Sequence, residues 1–154
     1  MTVTTPQPTT TTLAPPPSPR EDADWLELTE AVREAGEYPT RSEAERVTRA
    51  VLTALGAQVS GDERVALAQA LPSEAGRLVA SRIPSLHALT AREFVDAAAT
   101  DIEDSTPATA RWHVSSVLSV LPSRLGEPLT ADLLSQLPPG YALLFGRADL
   151  AAAA

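Results

Sequence analysis

The chain has 154 residues, no cysteine and a formal net charge of −8. That length suits one ordinary domain, and the missing cysteines exclude disulfides, thiolate nucleophiles and cysteine-based metal sites. Every basic residue is Arg, which excludes Schiff-base lysines and the phosphate-binding lysines of P-loop and kinase sites. The acidic balance argues against nucleic-acid and anionic-membrane partners, both of which draw on positive surface charge.

Asn is absent along with Lys. Codons for both begin with AA, so their joint depletion reads as the bias of a GC-rich, bacterial genome.

Residues 1–22 (MTVTTPQPTTTTLAPPPSPRED) are mostly Thr, Pro, Ser and Ala. This leader has too little apolar area to offset its ordering entropy and is expected to be disordered, with polyproline II over Ala14–Pro19. It lacks the basic start and apolar core of a signal peptide. No run approaches the ~20 apolar residues of a membrane span, so a cytoplasmic location is expected.

Residues 23–147 are expected to form one helical domain, with strands absent because β-branched residues do not recur at period two. A first helix over Asp24–Ala35 carries Trp25, Leu28 and Val32 on one face, with Gly36 as its stop. Thr40 and Glu43 form a capping-box pattern for a second helix to about Leu55, with the stripe Ala44, Val47, Val51, Leu55. A third helix starts near Ser60 or Gly61 and carries Val65, Ala68 and Leu71. Pro72 opens a short fourth helix with Ala75, Leu78 and Val79. Residues 82–89 link to a second half. There Thr90 and Glu93 cap a helix with Phe94, Ala98 and Ile102. Thr106-Pro107 opens the next, with Ala110, Val114, Val117, Leu118 and Leu121, stopped by Pro122. Thr130 caps a helix with Leu133, Leu134 and Leu137, and Pro138-Pro139 open a last one with Tyr141, Leu144 and Phe145. Residues 148–154 are expected to be a flexible Ala-rich tail. Its Leu-Ala-Ala-type end resembles a bacterial protease-recognition tail, but Ala-rich composition alone accounts for it.

The two halves share a register. Val51-Leu52-Thr53-Ala54-Leu55 recurs 66 positions later as Val117-Leu118-Ser119-Val120-Leu121, and Leu67, Leu71-Pro72 and Leu78 find Leu133, Leu137-Pro138 and Leu144 at that offset. The expected fold is therefore all-α: a helical bundle of two pseudo-repeats of about four helices each, over about 24–82 and about 90–147.

These segments point to a family. Ser60–Pro72 (SGDERVALAQALP) and Thr130–Tyr141 (TADLLSQLPPGY), each following a helix of the Glu43–Leu55 type (EAERVTRAVLTAL), resemble the bacterial domain-of-unknown-function family 2267 (DUF2267). The resemblance covers nearly all of Asp24–Arg147. It departs at Ala70, where the family has Gln before Leu-Pro, and at Gly126-Glu127-Pro128, where a Gly-rich opening is usual. Gln136 keeps the family's residue. The resemblance implies a duplicated helical fold and no reaction.

Candidate chemistry is sparse. His87 and His113 are the only histidines, and neither has a partner at helical spacing, so no metal and no cofactor are expected. Asp101, Glu103 and Asp104 lack the spacing and Gly turn of a calcium loop and read as a solvated helix end. No G-x-S-x-G, G-x-G-x-x-G or P-loop motif occurs. His113 takes the place of Val47 in the repeat register, which puts it, hydrogen-bonded, at the seam between the halves. Trp112 reads as half exposed beside it. Trp112, His113 and Arg111 are the candidate interaction residues, for an unidentified protein partner. The expected function is a non-enzymatic interaction or regulatory module. The alternative is a small-molecule binder or enzyme using Arg46, Arg111 and Glu43 at the seam.

Overall fold

A computed structural model describes residues 19–103 and 105–147. Among these there are nine helical segments and no strand: α1 Pro19–Gly36, α2 Arg41–Gly56, α3 Gly61–Ala70, α4 Ser73–Ala80, α5 Ala91–Thr100, α6 Pro107–Leu118, α7 Pro122–Leu125, α8 Glu127–Gln136 and α9 Tyr141–Leu144. The expectations for residues 1–18, Asp104 and the tail 148–154 lie outside the described residues.

The first helix starts earlier than its apolar pattern predicts. Residues 19–22 belong to α1, not to the leader. Pro tolerates the first helical turn, and Glu21 and Asp22 there favour the positive end of the helix dipole. Ser73 Oγ donates to Glu21 Oε1 at 2.9 Å and ties this turn to α4. Trp25, Leu28 and Val32 are buried as their spacing requires.

α2 is the central element, packed against α1, α4, α5 and α6. Thr40 caps it by accepting from the Glu43 N–H, although the reciprocal half of the expected box is not made. Its stripe Ala44, Val47, Val51, Leu55 is buried. At its end, Gly56 lies against the backbone of α4. A Cβ there would overlap Val79 and sit 2.8 Å from its carbonyl carbon. Arg64 of α3 closes the same corner, donating to Gly56 O at 3.2 Å, to Val79 O at 2.9 Å and to Arg82 O. One guanidinium thus satisfies carbonyls left open at two helix ends.

In the second half, Thr90 and Glu93 make the full capping box. Thr106 makes another with Thr109. α8 spans the ten positions that lie 66 residues beyond α3, and α6 opens 66 residues beyond α2. The halves meet where α6 packs on α1 and α2, and where α8 packs on α3. Gln136 joins the latter pair: its amide accepts from the Ser60 N–H at 3.2 Å and donates to Ser60 O at 3.1 Å and Glu63 Oε2 at 2.8 Å.

Three local expectations are corrected. Val65 is exposed, because Leu67 takes the core side of α3. Thr130 does not cap α8. It lies inside that helix, fully buried, with Oγ1 donating to Gly126 O at 2.8 Å, and Gly126 (φ 86°) makes the turn instead. The last helix opens at Gly140 (φ 101°), after the two prolines.

Gly56→Ala is expected to destabilise the fold by about 3 kcal/mol, the upper end of overpacking costs, because the neighbouring atoms are backbone. Gly61→Ala, at a positive φ but with only an ordinary contact to Glu63 Oε2 at 3.6 Å, is expected to cost only about 1 kcal/mol. Urea unfolding midpoints of the two variants check this order.

Candidate functional site

The seam between the halves is built on the end of α1. Glu37 has a left-handed backbone (φ 53°). The Tyr38 N–H donates to Arg33 O at 3.0 Å and the Glu37 N–H to Glu34 O at 3.3 Å, which closes the helix in a Schellman turn. That turn lays the Tyr38 ring under α6, where it is 5 % exposed. Gly36 permits this, since a Cβ at that position would overlap the Tyr38 ring and lie 2.8 Å from Ser116 Oγ.

Two consecutive side chains of α6 straddle this turn. Trp112 donates its indole N–H to Gly36 O at 3.0 Å. His113 Nδ1 lies 2.6 Å from the Tyr38 hydroxyl, and the two rings stack with centroids 5.6 Å apart. The Ser116 hydroxyl donates to Trp112 O at 2.7 Å. With the phenol donating to Nδ1, the remaining ring proton of His113 sits on Nε2. Arg111, the residue just before them, is exposed. So the structure brings Trp112 and His113 together on the Gly36–Tyr38 turn.

Burial dominates the electrostatics of the pair. It pushes the Tyr38 phenol up to about 12. It also holds the His113 imidazole below its ordinary value, against a smaller opposing pull from the Glu43 carboxylate. A neutral ring matches the Tyr38 hydrogen bond.

Beyond His113 opens a cleft of about 550 Å³. One wall is the outer stripe of α2, from Glu43 through Arg46, Val47 and Ala50 to Thr53, a run of about 15 Å. The other is the turn after α5, Asp101 to Glu103, with Arg82 at the far end. Arg46 approaches Glu103, and Arg82 approaches Asp101, each at a loose 3.8 Å. Arg49 lines the cleft as well, with its guanidinium bonded to Glu74 at 2.5 Å and Glu45 at 3.0 Å and lying 5.0 Å from the Trp25 ring. Arg46 and Glu43, picked out from the sequence, line this cleft, and Arg111 does not. Among the described residues no cluster of three or more His, Cys, Asp or Glu could hold a metal ion. The expected acidic cluster is split accordingly: Asp101 and Glu103 face arginines, and Asp104 lies outside the described residues.

Sequence reasoning missed Tyr38, and it placed Gly36 as the helix stop without its role at the seam. Their signal was present as Gly-x-Tyr directly after a helix and ahead of Pro39, a turn that has to bury its aromatic residue. His87 lies exposed in the connector, where Ser85 Oγ accepts from its N–H and donates to its carbonyl.

A family model described as an uncharacterized conserved protein, DUF2267, matches residues 25–144. No match is found among curated proteins. The matched span runs from the first buried aromatic residue of α1 to the last residue of α9. No helix of the described residues is long and apolar enough to cross a membrane.

Because the fold holds His113 neutral, the unfolded chain binds a proton there more readily than the folded one. Stability from this group is complete above the unfolded value near 6.5 and falls as pH drops below it. His113→Leu is expected to flatten the loss of stability between about pH 7 and pH 5 relative to wild type, read as the pH dependence of the urea midpoint.

Proposed function

The chain belongs to the DUF2267 family of uncharacterized conserved proteins, and we propose that it acts as a non-enzymatic interaction module that docks a protein partner at the Trp112 corner of α6. One observation carries the reading. Trp112 is 50 % exposed, yet its only polar group is already bonded to Gly36 O. What remains outward is an apolar ring face held in one orientation, which is the form of an interface anchor. Arg111, adjacent and exposed, supplies a cation beside it for a partner's carboxylate. The turn beneath is closed by two backbone hydrogen bonds, so binding costs little ordering of the site.

Partner exchange would follow the ring's accessibility and not a reaction at this corner. Trp112→Ala removes the anchor. Arg111→Glu reverses the neighbouring charge and leaves the seam untouched. Affinity capture from a native extract is expected to retain a partner with wild type, to lose it with Trp112→Ala and to weaken it several-fold with Arg111→Glu. Circular dichroism of both variants confirms the helical fold. Equal retention by wild type and both variants would remove the basis for the reading.

A further inference from the structure

We propose that the cleft between α2 and the turn after α5 binds a free α-amino acid with an apolar side chain, its ammonium group on Glu43, its carboxylate on Arg46 and its side chain along Val47, Ala50 and Ile102. The site is separate from the Trp112 corner and does not depend on it.

The volume, about 550 Å³, lies in the range of small-molecule sites. The charge pattern then selects the class of ligand. Arg46, Arg49 and Arg82 line the cleft against Glu43, Asp101 and Glu103. A ligand of one sign would meet as much repulsion as attraction among them. A ligand carrying both signs can set each of its charges against a fixed opposite one, and the cleft stays as neutral as before.

Existing partners narrow the choice to one end. Arg49 is hydrogen-bonded to Glu45 and Glu74, so its charge is already matched. Arg82 and Asp101 face each other at the far end. At the near end the charges are open. Glu43 is only partly exposed, yet among the described residues its carboxylate has no hydrogen-bond or ion-pair partner. Arg46 stands 3.8 Å from Glu103, with both side chains mostly exposed. That distance is beyond hydrogen-bond reach. The Arg46 guanidinium can therefore take a carboxylate bidentately without first losing a hydrogen bond. The ligand's own ammonium offsets the repulsion between its carboxylate and Glu103.

The spacing fits an α-amino acid. Glu43 and Arg46, three positions apart on α2, are neighbours on one face with Cβ atoms about 5–6 Å apart. That suits two charges joined through one carbon and not two ends of a long chain. His113 borders the same cleft, near enough to Glu43 to feel its carboxylate. Its Nδ1 is taken by the Tyr38 hydroxyl, so its ring proton, on Nε2, is a neutral donor left for the ligand's carboxylate. Past Arg46 the wall continues as Val47 and Ala50, with Ile102 across from them. From Arg46 to Thr53 this strip runs about 10 Å, room for a side chain the size of Leu, Met or Phe.

Isotope-labelled full-length protein titrated with L-leucine, L-methionine and L-phenylalanine, followed by amide chemical shifts, reads the site. At least one of the three is expected to give saturable shifts at Glu43–Ala50, Asp101–Glu103 and His113, with a Kd below about 1 mM. The amide of that amino acid keeps only the ammonium, and its N-acetyl form keeps only the carboxylate. Each should bind at least about tenfold more weakly. Glycine, with no side chain for the apolar strip, should be weaker by about the same factor. Arg46→Gln and Glu43→Gln lie outside the core and should keep the circular dichroism spectrum while weakening binding about tenfold. No saturable shift with any of the three up to about 20 mM would overturn the proposal. So would equal binding of the N-acetyl form, which marks an anion site, of the amide, which marks a cation site, or of glycine.

Discussion

The two halves are held in register by a conflict at the end of α1 that one glycine resolves. The Schellman turn needs a left-handed residue, and Glu37 fills that place at φ 53°, a conformation that disfavours any side chain with a Cβ by about 1–2 kcal/mol. The glycine stands one position earlier. At Gly36 the demand is steric: Tyr38 and Ser116 occupy the space a Cβ would need. Backbone strain at Glu37 can be offset by the turn's hydrogen bonds. An overlap at Gly36 would push α6 off α1. With the glycine there, Gly36 O is free to take the Trp112 N–H, and the Tyr38 hydroxyl reaches His113. Much of the α1–α6 contact follows from this turn.

Most of the fold was legible because burial follows periodicity. Trp25, Leu28, Val32, the α2 stripe, Phe94, Ala98 and the α6 stripe all occupy the core that their spacing predicts. What was not legible depends on contacts remote in sequence. The opening turn of α1 carries no apolar signal and is tied by Ser73, over fifty positions away. Thr130 looks like a cap from sequence, yet Gly126 reaches a φ of 86° that lets the helix begin earlier. α7, a single turn at Pro122–Leu125, falls where the pattern shows only a stop.

The candidate site was half legible for the same reason. Trp112 and His113 could be placed at the seam from the repeat register, but which partner each meets depends on Tyr38 and Gly36, whose roles appear only when α1 and α6 cross. Consecutive helical positions diverge by about 100°, so Arg111, Trp112 and His113 do not meet the same surroundings. Arg111 faces solvent, Trp112 spans the seam, and His113 turns toward the cleft.

The cleft itself has a simple origin in helix length. α1 has 18 residues and α5 has 10, or about 27 Å against about 15 Å. α1 therefore extends along α2 far enough to cover it on the Tyr38 side of the seam. α5 stops at Thr100, and the chain turns away through Asp101–Glu103, leaving Arg46, Ala50 and Thr53 of α2 facing open space. Extra turns on α5 would have covered that stripe. In their absence the wall is finished with loose 3.8 Å ion pairs, Arg46 to Glu103 and Arg82 to Asp101. Such exposed pairs are worth little, so an incoming surface can displace them at small cost. The sealed side of the seam is consequently the side that fixes the fold, and the short side is the one left able to receive something.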